Sequence, residues 1–515
     1  MKSTTKLIGA LAAGALLLSG CSAGGSDAGS GTSDGGDDAT RGGTLTLGQL
    51  GDVVSWDPSQ AHVGHQFVPY QLVYDTLVLR EPDGELSPML ATEWSYNDDR
   101  TVLTLELRDD VEFSDGEPFD AEAVVANFEH FKAGNGRQAV QLTQYESATA
   151  VDEDTVEITL AQPDPAFEFY LSQAAGLMAS PAAIEAGTLE TDPVGTGPYL
   201  YDAGSSVRDS QSVFTAKEDY WNPDLQKFDS VELRILEDLS ARANAIVSGQ
   251  VDWTTLDART ADQAEGAGMQ IIPDYQVDWT GVTFFDRDGA INPVLADVRV
   301  RQAINYAVDR ETLLEQLQLG RGTATSQVFG PESGAFVDDL EDYYTYDPDM
   351  ARELLAEAGY EDGLEITLPV IDGFATQITA IAQQLSEVGI TVNQVSAVPA
   401  DYVADAVQRK FEAFNFNLFQ GEAWVAINQI IAPTATYNPF QTTAPELEEL
   451  IPVVQEGGEG SEAAAQDINR YVTENAWFLP LYRIDQISVY DPETITVEAQ
   501  IQSAMPSLYN FAPAE

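Results

Sequence analysis

The chain has 515 residues, with 24 Lys plus Arg against 84 Asp plus Glu for a formal charge of −60, three histidines and one cysteine. The length suits about three domains, and an apolar content of 44% is enough for large cores, which excludes wholesale disorder. Phosphate backbones and anionic headgroups are held by clustered Lys and Arg, so the charge argues against nucleic-acid binding; a single cysteine excludes an internal disulfide and a Cys-based metal cluster.

The chain opens with Lys2 and Lys6, an apolar run over residues 7–18, and then Leu18-Ser19-Gly20-Cys21. A basic start, a short apolar stretch and small residues at its end describe a secretory signal over residues 1–20. The run is too short for a bilayer span, which needs about 20 apolar residues. Leu18-Ser19-Gly20-Cys21 resembles the bacterial lipobox, whose cysteine is lipidated and becomes the mature N-terminus, so Cys21 is the expected lipidation site. Loss of Lys2 and Lys6 takes the formal charge from −60 to −62. Residues 21–40 are almost entirely Gly, Ser, Ala, Asp and Thr, a composition that buries nothing and reads as a flexible tether. Its Gly31-Thr32-Ser33-Asp34-Gly35 string matches a hydrolase elbow only formally, because no strand precedes it and no helix follows.

The folded body starts near Arg41. Thr44-Leu45-Thr46-Leu47 alternates as a half-buried strand does. Short alternating runs over 77–113, separated by Asp83-Gly84, Asn97-Asp98-Asp99 and Asp115-Gly116, predict an antiparallel meander. Asp120 is placed to cap a helix whose buried face is Ala121, Val124, Val125, Phe128 and Phe131. Residues 231–236, 240–248 and 251–256 read as strand, helix, strand. A second series reads 364–371 (strand), 376–388 (helix), 390–398 (strand), 401–408 (helix) and 414–419 (strand). One long helix is expected over 297–317 and another from Asp347-Pro348 to Gly359. Two separate series predict two α/β lobes.

Several motifs then resemble a known family. Tyr74-Asp75-Thr76-Leu77-Val78, the run from Asp83-Gly84-Glu85-Leu86 to Thr92-Glu93-Trp94, and Leu107-Arg108-Asp109-Asp110 through Ser114-Asp115-Gly116 are similar to the opening signature of family 5 solute-binding proteins, receptors of peptide, dipeptide and nickel ABC importers. The likeness continues through Gly195-Thr196-Gly197-Pro198-Tyr199, Gly249-Gln250-Val251-Asp252, Asp297-Val298-Arg299-Val300-Arg301 and residues 347–363. It implies an α/β, two-lobe periplasmic-binding-protein fold (type II) with an extra α+β subdomain inserted in the first lobe. The implied partition is 41–65, 194–285 and 480–515 for the first lobe, 66–193 for the insert and 286–479 for the second lobe. It further implies an extracytoplasmic, lipid-anchored monomer that delivers a solute, oligopeptide before others, to membrane permeases, with no cofactor and no catalysis.

The ligand is expected between the lobes, where strand ends meet a cleft. One bank is Trp56, following Asp52, together with Trp253; the other is Gly421, Glu422 and Trp424, with Tyr437 and Asn438. The chain should cross between lobes near residues 284–289 and 476–481. Peptide-binding members place acidic residues after a Gly-Trp pair, one of which takes the peptide ammonium; here Gly421-Glu422-Ala423-Trp424 makes Glu422 the candidate. Arg299 and Arg301 are expected to pair with nearby carboxylates. His62 and His65 form a possible metal pair without an evident third ligand, so no metal site is assigned. A nonpeptide solute (a sugar oligomer, an opine-like compound or a metal complex) and a glycosidase-like enzyme built on two carboxylates are the rival readings.

Overall fold

The computed structural model describes residues 41–64, 66–273 and 276–514. The signal segment, Cys21, the tether and His65 lie outside the described residues. Thr44–Gln49 is the centre of a seven-stranded sheet, buried through Leu45 and Leu47. Ser230–Ile235 and Trp253–Thr255 pair with it in parallel, one on each side. The helix between them, Leu239–Val247, starts at Asp238, whose carboxylate accepts the Ala241 N–H at 2.8 Å. It is followed by Gly249 at φ 67°. The expected strand, helix, strand unit is present, but its two strands straddle the central strand. Gln211–Ala216 and Tyr199–Tyr201 extend one edge, and Ser488–Tyr490 and Gln270–Ile271 the other.

A second sheet has the order Thr323–Ala324, Phe478–Ile484, Asp278–Phe284, Ala413–Phe419, all antiparallel. Both crossings between the sheets therefore fall outside the two expected stretches. The first precedes Asp278 and the second follows Ile484. The strands around 278–284 and 478–484 are apolar on both faces, so they extend a sheet where the sequence suggested a connection. Residues 364–419 also split differently from expectation: Leu364–Val370 and Ile390–Ser396 form their own parallel pair, whereas Ala413–Phe419 joins the second sheet. The helix expected over 297–317 is two helices, Val298–Tyr306 and Arg310–Gln318. Asp309 breaks it, because its carboxylate accepts the Thr312 N–H at 3.0 Å and so caps the second segment. Asp347 caps Pro348–Glu357 as expected, accepting from Asp349 and Met350 N–H.

The insert is an antiparallel sheet, Ala91–Tyr96, Val102–Leu107, Thr155–Leu160, Tyr145–Ala150, covered by helix Ala121–Gly134. Asp120 accepts the Ala123 N–H at 2.8 Å, and Phe128 stacks on Tyr145 with centroids 5.3 Å apart. The described residues pack as one compact unit, and one apolar core joins Leu45 of the first sheet, Phe128 of the insert and Trp279 of the second sheet.

The Gly195-Thr196-Gly197 turn is a close approach and not a positive-φ corner. A Cβ on Gly197 would lie 2.5 Å from the Val73 carbonyl carbon and one on Gly195 2.2 Å from the Val73 oxygen. Backbone cannot yield as a flexible side chain can, so Gly197→Ala is expected to cost about 1–3 kcal/mol and to lower the midpoint of thermal unfolding.

Candidate functional site

A cavity of about 490 Å³ opens between the second sheet and the insert, within the range of roughly 300–1,000 Å³ usual for small-molecule sites. Three parts of the chain wall it. One wall carries Arg80, from strand Val78–Arg80, with Arg137 and Gln141 just beyond helix Ala121–Gly134, and Phe169. The facing wall carries Asp278 and Phe419, Val425, Gln429 and Tyr437. The segment 502–504 closes it. Asp278 and Phe419 are register partners, so the start of one strand and the end of its neighbour reach the cavity together.

The charged groups decide what this cavity can hold. The Arg80 guanidinium donates to Gln502 Oε1 at 2.9 Å and to the Gln502 carbonyl at 3.3 Å and lies over the Phe169 ring, 4.9 Å from its centroid. Burial pushes it down to about 10, and the charge of Glu422 opposes that shift. Asp278 faces the cavity yet has protein on nearly every other side. Burial pushes its carboxyl up to about 6, against a hydrogen bond from Gln486, whose Nε2 donates at 3.2 Å. Among the described residues, none of Arg80, Arg137 and Asp278 takes part in an ion pair.

Of the residues expected at the site, Tyr437 lines this cavity, its ring edge-on to Phe416 at 4.8 Å. Trp56 does not: it is 5% exposed and wedged among Tyr70, Tyr201 and Phe214. Trp253, at 1%, packs on Phe511. Both are core because each follows or lies in a strand of the first sheet whose faces are covered. Asn438 is fully buried; its amide nitrogen donates to the carbonyls of Ile431, Ala432 and Thr442, and its oxygen accepts from Arg287. It fixes a loop, leaving nothing for a solute. Gly421 is needed where the Phe419 ring folds back, since a Cβ there would lie 2.2 Å from the ring.

Glu422 caps the short helix Ala423–Ala426, accepting the Val425 N–H at 2.8 Å. With Trp424 it lines a second cavity of about 400 Å³ on the other side of that helix. Burial raises the Glu422 carboxyl, while backbone N–H groups and Arg80 lower it. Trp424 is 4% exposed, and nearby Asp164 accepts the Ala166 N–H at 3.1 Å, its carboxyl pushed up by burial to about 6. Arg299 pairs with Asp297 at 2.6 Å as expected. Arg301 does not pair; it is buried and donates to the carbonyls of Leu295, Asn475 and Ala476. Among the described residues no group of three His, Cys, Asp or Glu is placed to hold a metal.

Sequence reasoning missed Arg80, Arg137 and Asp278. The available signal was Asp278 heading the apolar run Trp279-Thr280-Gly281-Val282-Thr283-Phe284, a charge placed where a buried strand begins.

Residues 85–432 match the family described as bacterial extracellular solute-binding proteins, family 5. The chain belongs to that family. The glutathione-binding protein GsiB of Escherichia coli (strain K12) is 32% identical over 356 residues, which are 65% of this chain and 66% of GsiB, so the chain spans just under two thirds of that relative's length. Among solved structures, the periplasmic binding protein DppA from Helicobacter pylori in complex with peptide STSA superposes with a TM-score of 0.76 at 20% identity, covering 92% of this chain and 99% of that one. NikA from Brucella suis in complex with Fe(III)-EDTA gives 0.79 at 22%, covering 92% and 100%. These establish the two-lobe fold of the family. No helix among the described residues is long and apolar enough to cross a membrane.

The raised Asp278 carboxyl has a signed consequence for stability. Its folded value, about 6, lies above the ordinary 3.8, so ionisation costs folding free energy fully above pH 6 and not at all below pH 3.8; stability from this group falls as the pH rises between those values. Asp278→Asn should therefore stabilise the ligand-free protein at pH 7 by on the order of 1–3 kcal/mol, with the gain gone near pH 3.5. Urea unfolding at the two pH values measures it.

Proposed function

We propose that the protein is the extracytoplasmic receptor of an ABC importer, holding a small polar solute, a short peptide before others, between its two lobes and passing it to membrane permeases. The observation that carries this reading is the cavity between the second sheet and the insert, with cationic side chains on one wall and a carboxylate on the other. A peptide carries both complementary charges at its ends. The names of the relatives point the same way: GsiB is a glutathione-binding protein, and the DppA structure holds a peptide. A metal chelate such as the one in NikA would satisfy the arginines through its carboxylates but would meet Asp278 as a like charge.

In this reading residues 1–20 are removed, Cys21 carries the lipid, and residues 22–40 tether a monomer beside the membrane. Lobe I comprises the seven-stranded sheet, lobe II the second sheet with the parallel pair, and 66–193 the insert. The protein binds without turnover.

Native mass spectrometry of the purified mature protein should show a series of short-peptide masses, and a tripeptide pool should raise its melting temperature; a single nonpeptide mass with no peptide stabilisation refutes the peptide assignment. Cys21→Ser should move the protein from the membrane fraction to the medium or periplasm, read by fractionation and blotting.

A further inference from the structure

Asp278 is the one acid among the described residues lining the 490 Å³ cavity. It is the first residue of a strand in the middle of the second sheet, so its backbone is fixed by pairing with Phe419 and Ile484 on both sides. Its carboxylate receives one hydrogen bond that the geometry gives, from neutral Gln486. A half-buried carboxylate with so little compensation is costly unless a cation arrives. The opposite wall has the reverse need. Arg80 is buried, with only the neutral Gln502 as a hydrogen-bond partner, and Arg137, exposed at the cavity rim, has no hydrogen bond or ion pair among the described residues. Between the walls, Gln429 Oε1 is buried without a hydrogen-bond partner and lines the same space, an acceptor for a ligand N–H.

The two other acids near the cleft are used within the chain. Glu422 is held by backbone N–H groups at its helix start, and Asp164 by the Ala166 N–H at 3.1 Å. Neither lines the 490 Å³ cavity.

Resting on the receptor reading above, we infer that Asp278, and not Glu422, takes the cationic group of the bound solute while Arg80 and Arg137 take its carboxylate, so that the site selects dipolar solutes with a free ammonium. Neutral and purely anionic solutes leave Asp278 with no partner but the neutral Gln486. The selectivity is one of charge separation, and it places no demand on the side chains between the two ends beyond fitting the apolar Phe169, Phe419 and Val425 lining.

Calorimetric titration of the wild type with a tripeptide pool and with the same pool N-acetylated tests this without any variant. Acetylation should weaken binding at least about tenfold. Asp278→Asn should lose at least as much for the free pool, bind both pools equally, and melt no lower than the wild type without ligand. If the wild type binds acetylated and free pools equally, or the variant keeps the preference for the free pool, the assignment of Asp278 is overturned while the receptor reading stands. If the wild type binds neither pool, the peptide reading fails and this inference with it.

Discussion

The pairing of Asp278–Phe284 with Phe478–Ile484 organises this molecule. The two strands run antiparallel in the second sheet, and the strands they connect to, Gln270–Ile271 and Ser488–Tyr490, pair again in the first. The chain thus passes twice between the sheets, side by side, and each passage is held by antiparallel hydrogen bonds at both ends. The pairing shifts register between Thr280 and Gly281, where Gly281 lets the backbone of Leu479 approach; a Cβ there would lie 2.2 Å from the Leu479 oxygen. A double connection of this kind restrains sliding of one sheet over the other and leaves bending at the seam as the softest motion, the hinge type of closure. Asp278 stands at that seam, so a group on it reaches whatever the two sheets enclose.

Several buried charges elsewhere are compensated within the chain. Arg310 is surrounded by the carbonyls of Pro480, Asn305 and Tyr344 and the side-chain oxygen of Asn305. Arg483 is paired with Glu341. Asp286, fully buried, accepts from the N–H groups of Ala290, Ile291 and Asn292 at 2.6 to 2.7 Å. A buried arginine backed only by a glutamine and a carboxylate backed only by another glutamine differ from these in lining one cavity together. Local violations of the rules that hold in the rest of a fold are expected where a site has to leave room for something else.

The fold was readable from the sequence because it is written in local signals: caps at Asp120, Asp238 and Asp347, glycines after helices, and alternating or continuous apolar runs. The errors have a common cause. Periodicity identifies a strand without naming its partner: 414–419 reads in series with 390–398, yet Ala413–Phe419 pairs with Asp278–Phe284, and the chain passes between the sheets outside 284–289 and 476–481. The site was less legible for a related reason. A tryptophan has the same letter whether it packs on Tyr70 and Phe214, as Trp56 does, or meets a ligand, and only Tyr437 among the expected residues reaches the main cavity. Glu422 was singled out by its neighbours in sequence, but its position at a helix start commits its carboxylate to backbone N–H groups. Arg80 and Asp278 are some two hundred residues apart, and nothing in the linear order relates them.

The formal charge of −60 acts differently at the two length scales. Over the surface, acids spread along every segment set up a negative field, and salt screens it beyond about 8 Å at physiological ionic strength. A solute approaching through solvent therefore feels little of it until the cavity mouth, and an acidic exterior by itself would admit cations of any shape. Inside, screening is weak and a few fixed groups dominate. Arg80 and Arg137 reverse the sign of one wall against the surrounding excess of acids, which makes the cavity a local dipole in an otherwise negative body. A simple cation gains at Asp278 and loses at the arginines, a simple anion does the opposite, and a solute with separated charges gains at both.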